Sequence, residues 1–231
     1  MTPPKDDLFQ LFDEHLADIR EGDIVLVTSK VVSIHQGRCV PFREGISKRT
    51  LVEREAEYLF DGQTKYSNSP LAIKYGALFY GAGIDESNAN NHYILLPEKP
   101  YDFAFEIWKY LRAKHGIQNV GVIITDSHSL PLRRGCVSIS IGLWGFHPIE
   151  HHAGKKDLFG RTLQISSTNI ADALSAGVTV VTGETNECLP ISIARGVPNV
   201  VFTPHDTRHE ILIPPEDDIY YPLLKPFFQK E

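Results

Sequence analysis

Two consecutive segments constrain this chain most: an amphipathic stretch from Tyr101 to His115, closed by Gly116, and the uninterrupted apolar run from Val120 to Thr125 behind it. Phe103, Phe105, Ile107, Trp108, Tyr110 and Leu111 fall at helical spacing in the first segment, and the second reads as a strand. A helix followed at once by a strand that it can cover predicts a layered α/β core.

The flanking sequence supplies further elements for that core. Asp6 to Glu21 places Leu8, Leu11, Phe12, Leu16 and Ile19 on one helical face before Gly22, and Asp23 to Ser33 reads as a β-branched strand running into the turn-prone His35 to Arg38. Ile46 to Phe60 reads as a charged helix, and Leu71 to Tyr80 as a strand ending in Gly81-Ala82-Gly83. Strands are expected at Val137 to Leu143, Val178 to Thr182 and Pro190 to Ala194, with a short helix from Asn169 to Ala176. The proline-rich, charged segment from Phe202 to Glu231 carries Tyr220, Tyr221, Leu223, Leu224, Phe227 and Phe228, which predict a tail docked on the body or a partner contact. No repeat or linker divides the chain, so residues 1–231 read as a single domain, with two lobes as the alternative.

Composition excludes several functional classes. At 231 residues and 42% hydrophobic, the chain can bury a sizeable core. A formal net charge of -6 argues against a general nucleic-acid or anionic-membrane binder. Cys39, Cys136 and Cys188 are odd in number and contain no C-x-x-C, which points to a reducing compartment rather than a disulfide framework. With no signal-like N-terminus and no run approaching ~18 apolar residues, the expected location is the cytoplasm.

Three strand-like runs end in oxygen-bearing segments: Gly83 to Asn88, Thr125-Asp126-Ser127, and Thr182 to Glu187. Brought together, they would offer carboxylates and hydroxyls to a hard cation such as magnesium, at the strand ends where α/β proteins place ligands. Each segment taken singly is equally a turn cap or a solvated loop. No GxxxxGK[ST] loop or complete dinucleotide fingerprint is present. Arg133-Arg134, Lys155-Lys156 and Arg161 are candidates for phosphate or carboxylate contacts, or solvated surface charge.

A competing motif is His147-Pro148-Ile149-Glu150-His151, an H-x-x-E-H pattern of the inverted zinc-protease type. That chemistry needs both histidines on one face of a stable helix, and Pro148 with Ala153-Gly154 opposes such a helix. A serine-hydrolase elbow is missing, and Cys136 and Cys188 read as inert by default.

From Tyr80 to Asn88 (YGAGIDESN) and from Gly121 to Gly142 (GVIITDSHSLPLRRGCVSISIG), the chain resembles the coenzyme F-420 gamma-glutamyl ligases. The likeness continues through Gly154 to Arg161, Ile170-Ala171-Asp172 and Val181 to Glu184, and upstream through Gly22 to Arg38, covering roughly residues 20–200. The resemblance implies an α+β fold of mixed sheets and packed helices, assembled as an intertwined homodimer. It also implies two divalent metals, magnesium or manganese, one held by Asp85 and Asp126 and the other by Ser127 and Glu184. Ser29, Lys30 and Asn88 would contact nucleotide, with Arg133, Lys155 and Arg161 as further binding candidates. The implied reaction uses GTP or ATP to activate a small-molecule carboxylate as an acyl phosphate, which the amine of L-glutamate attacks to give an amide.

The sequence departs from the family pattern where Ile34 stands in place of a nucleotide-contacting lysine, at a shortened N-terminus, and beside the expected metals, where Ser127-His128-Ser129-Leu130 replaces a threonine-phenylalanine-glycine run and Cys136 replaces a polar residue. Alternatives are therefore a folate-type glutamate ligase, a non-catalytic metal- or nucleotide-binding homologue, and the zinc hydrolase centred on His147, Glu150 and His151.

Overall fold

The computed structural model describes residues 1–42, 46–62 and 69–228. Its centre is a four-stranded mixed sheet built from β1 (Asp23–Thr28), β7 (Val120–His128), β8 (Val137–Trp144) and β11 (Ile191–Ala194), in the order β11-β1-β7-β8. β1 and β7 run parallel, with Asp23 opposite Val120 and Thr28 opposite Thr125, while the outer strands are antiparallel to their neighbours.

Strand alternation divides the core between the two faces of this sheet. Val25, Val27, Val120, Val122 and Ile124 face α1 (Leu8–His15), α2 (Ser29–Gln36) and α4 (Pro100–His115). Ile24, Leu26 and Ile123 face α5 (Ile170–Thr182) and the C-terminal segment, through Ala171, Leu174, Phe202, Ile211 and Leu212. The expected helix–strand layer at residues 101–125 is therefore present. α4 begins so close to β8 that a side chain at Gly142 would strike the Pro100 backbone at 2.6 Å.

The remaining elements form a smaller apolar cluster beside the central sheet. A meander of β3 (Tyr58–Phe60), β4 (Leu71–Lys74) and β5 (Ala77–Tyr80) packs with α3 (Lys48–Glu55) around Leu51, Val52, Ala72 and Ile84. β2 (Cys39–Pro41) pairs with β6 (His92–Ile94), and β9 (Ile149–His151) pairs with β10 (Ser167–Asn169). After β11 come α6 (Arg208–Ile211) and α7 (Tyr221–Phe228). The tail is docked: Phe227 lies tilted against Phe60 and Phe228 edge-on to Tyr58 of β3, while residues 229–231 lie outside the described region. No helix among the described residues is long and apolar enough to cross a membrane. The mixed α+β architecture agrees with expectation.

Several expected elements need correction. The first helix ends at His15, because the polar stretch after it is held by side chains: Asp23 accepts from Arg20 N–H, and Arg195 donates to both Asp18 and Asp23. The strand expected from Asp23 to Ser33 turns into α2 at Ser29, where burial of Val31, Val32 and Ile34 outweighs their β preference. The helix expected from Ile46 to Phe60 is α3 alone, followed by β3. Leu71 to Tyr80 is a hairpin that reverses at Tyr75-Gly76, both with positive φ. Val178 to Thr182 is the last part of α5, not a strand.

Candidate active site

Four structural ends converge on one cavity of about 890 Å³. β7 delivers Asp126 and Ser127, and α2 delivers Ser29 and Lys30 in its first turn. A loop after a 3-10 turn at Gly81–Gly83 delivers Asp85, Ser87 and Asn88, and the C-terminus of α5 runs into Glu184 and Thr185. The three oxygen-bearing segments thus meet as expected. Only the middle one belongs to a strand, lying within the last residues of β7; the first follows the 3-10 turn and the third follows a helix.

Each segment is held for a physical reason. Asp85 exchanges backbone hydrogen bonds with Ile94, 2.9 Å each way, which pins the loop to β6. β7 and β8 slip register beside the site: Ile124 lies opposite Gly142 and Thr125 opposite Ser140, so Ile141 is the extra residue of a bulge that re-aims the strand end. Gly183 closes α5 with φ +69°, and a Cβ there would lie 2.2 Å from the Glu187 carboxylate. Glu187 in turn accepts from the Thr185 N–H at 2.8 Å and its hydroxyl at 3.0 Å.

Hydrogen bonds cross between the segments. Lys30 Nζ lies 2.6 Å from Asp85 Oδ2 and donates to the Ser87 carbonyl at 3.0 Å. The Ser29 hydroxyl donates to Asp126, the Ser127 hydroxyl donates to Glu184 at 3.0 and 3.1 Å, and Asn88 Nδ2 donates to the Thr185 carbonyl at 2.6 Å. Burial pushes the Asp126 carboxyl up to about 7; the Ser29 hydrogen bond opposes this, and repulsion from Asp85 and Glu184 adds to it. Asp85 goes the other way: burial alone would raise it, but Lys30 and Ser87 outweigh burial and leave it lowered.

This donor set suits a hard divalent cation. Asp85, Asp126, Ser127 and Glu184 present only oxygen, and burial together with the Asp85 and Glu184 carboxylates disfavours the charge on Asp126. Among the described residues no group of three or more His, Cys, Asp and Glu side chains could by itself hold a metal ion. Magnesium-like sites are usually completed by water and substrate phosphates around one or two carboxylates, whereas zinc-protease sites need their protein ligands assembled.

The H-x-x-E-H segment is not a helical zinc site. Its residues run into β9 rather than a helix, His147 pairs with Glu210 at 2.7 Å, and Glu150 binds Lys155 at 3.0 Å. Three basic candidates lie outside the cavity lining. Arg133 is exposed in the β7–β8 turn, Lys155 is committed to Glu150 and His152, and Arg161 is exposed between β9 and β10.

The sequence places Ser87 in an oxygen-bearing segment and His128 beside Asp126 but assigns neither a role of its own. His128 lines the cavity with its ring edge-on to Phe79, and its buried Nδ1 has no hydrogen-bond partner. The period of two along β7, which places His128 on the same face as Asp126, was the available signal.

Comparison with known proteins gives one consistent answer. The family model described as F420-0:Gamma-glutamyl ligase matches residues 1–196. The coenzyme F420:L-glutamate ligase of Methanopyrus kandleri is 33% identical over 211 residues, covering 84% of this chain and 82% of the relative. The protein of the same name from Methanocaldococcus jannaschii is 32% identical over 219 residues, covering 87% and 86%. That of Archaeoglobus fulgidus is 30% identical over 233 residues, covering 95% and 92%. On this match, and on the convergence of its acidic segments, the chain belongs to the F420-0:gamma-glutamyl ligase family.

Proposed function

We propose that this chain uses a nucleoside triphosphate, GTP or ATP, to join the amine of L-glutamate to a carboxylate of a deazaflavin-coenzyme precursor. The observation that carries this reading is the meeting of Asp85, Asp126, Ser127 and Glu184 in one cavity, with the Asp126 carboxyl pushed up to about 7. The relatives are named coenzyme F420:L-glutamate ligases, which supports the deazaflavin acceptor over a folate-type one.

In the proposed reaction, an acceptor carboxylate oxygen attacks the γ-phosphorus and the nucleoside diphosphate leaves, giving an acyl phosphate. The glutamate amine then attacks the acyl carbon, the amide C–N bond forms, and phosphate departs as the nitrogen releases a proton. Divalent magnesium or manganese, held by Asp85 and Asp126 and by Ser127 and Glu184, would supply charge neutralisation for the moving phosphoryl group. Ser29 holds Asp126 by its hydroxyl, Ser127 orients Glu184, and Asn88 ties the Asp85 loop to Thr185. No side-chain nucleophile is needed. Phe79, Leu78 and Leu189 give the cavity an apolar wall suited to a ring-bearing acceptor.

We further propose a homodimer, supported by side chains that a lone chain leaves in water: Leu158 and Phe159, 98% and 94% exposed, and Ile165, 92% exposed.

Thermal-shift binding tests the site. With magnesium or manganese, GTP or ATP should raise the melting temperature of the wild type, and chelator or Asp126→Asn should abolish the shift. An unchanged nucleotide shift in Asp126→Asn would remove the metal assignment.

A further inference from the structure

Lys30 holds a position that bears on how the cavity loads. Its ammonium lies 2.6 Å from Asp85 Oδ2, 3.0 Å from the Ser87 carbonyl and 3.3 Å from the Ser87 hydroxyl. Ser87 also donates its N–H to Asp85 Oδ1 at 2.7 Å and its hydroxyl to the two carboxylate oxygens at 2.8 and 3.1 Å. Both Asp85 oxygens are thus engaged from within the chain. A divalent ion binds a carboxylate oxygen at about 2.1–2.5 Å. An ion on Asp85 and an ammonium still in contact with that carboxylate would therefore be close like charges in a partly desolvated cavity.

Lys30 has another destination. It is the second residue of α2, whose N-terminus lines the same cavity and whose cap residue Thr28 makes no side-chain hydrogen bond to the helix. A phosphate entering there would meet the helix N–H groups and draw the flexible ammonium towards itself.

Resting on the metal assignment proposed above, we propose that Lys30 is a built-in competitor for the cation position at Asp85. Its transfer to an incoming phosphate couples nucleotide binding to metal binding. Each ligand then tightens the other by the same factor, since binding free energies are reciprocal. Lys30 acts here as a positioning residue that keeps Asp85 oriented until nucleotide arrives.

The test is Mn²⁺ binding to the full chain, read from the free-ion electron paramagnetic resonance signal, for wild type, Lys30→Met, Lys30→Arg and Asp85→Asn. Without nucleotide, Lys30→Met should bind Mn²⁺ about tenfold more tightly than wild type, the factor that ~1.4 kcal/mol confers. Lys30→Arg, which keeps the charge, should stay near wild type. With the β,γ-imido analogue of GTP present, wild type should gain Mn²⁺ affinity, and Lys30→Met should gain several-fold less.

If Lys30→Met binds Mn²⁺ no more tightly than wild type while Asp85→Asn weakens binding, the competitor role is wrong and the metal assignment stands. If Asp85→Asn leaves Mn²⁺ binding unchanged, the metal assignment at Asp85 fails and the competitor role fails with it.

Discussion

At Asp126, burial works against ionisation, the Ser29 hydroxyl works for it, and Asp85 and Glu184 add repulsion, leaving the carboxyl at about 7. An aspartate in the unfolded chain titrates near about 4. The native protein therefore keeps a proton that the unfolded chain gives up over that window. The stability linked to this proton is complete below about pH 4 and is lost as pH rises through about 7. Asn at this position does not titrate and can still accept from Ser29. In chelator, Asp126→Asn should be about as stable as wild type at pH 4 and progressively more stable above it, by roughly 2 kcal/mol at pH 8 once the discount for cavity water is made. Urea unfolding at both pH values checks this; a difference that does not change with pH would contradict it. A residue held in this way sacrifices stability for a charge that a cation can use.

At the scale of elements, what was legible followed from periodicity, and what was missed followed from tertiary burial. Tyr101 to His115 is readable because it keeps one helical period to its Gly116 stop, and Val120 to Thr125 because it is a short unbroken apolar run directly after that stop. Ser29 to Ser33 and Val178 to Thr182 misled because β-branched residues there lie in helices, α2 buried and α5 capped by Asn169 at its far end. That first error hid a feature of the site, since only a helix beginning at Ser29 sets Ser29 and Lys30 over Asp126 and Asp85. The acidic segments were legible as chemistry but not as geometry: spacing in sequence could not say that Glu184 follows a helix or that Lys155 turns to Glu150.

The stretch between β9 and β10 carries the apolar surface on which the dimer proposal stands, with Leu158 and Phe159 almost fully exposed. Replacing both by serine should leave the fold intact, because neither belongs to a core cluster, and should convert a dimer to monomer in sedimentation velocity. A wild type that sediments as a monomer at high concentration would refute the dimer.

The whole molecule is a mixed sheet with helices on both faces, extended at one end by a meander that walls the cavity. Phe79 of that meander meets His128 of the central sheet, and Phe227 and Phe228 of the C-terminal helix brace its far strand. The family model ends at residue 196, so this brace lies in the part of the chain beyond the matched region. Under the proposed function this assembly makes an amide at the expense of a nucleotide. The most direct measurement of this is mass spectrometry of a deazaflavin acceptor incubated with L-glutamate, manganese and GTP or ATP, with wild type and Asp126→Asn side by side. With wild type the acceptor should gain the mass of one or more glutamyl residues, only when nucleotide is present, and with Asp126→Asn at a rate at least about a hundredfold lower, as loss of a charge-stabilising group implies. Glutamylation that proceeds without nucleotide, or equally fast in Asp126→Asn, would contradict it.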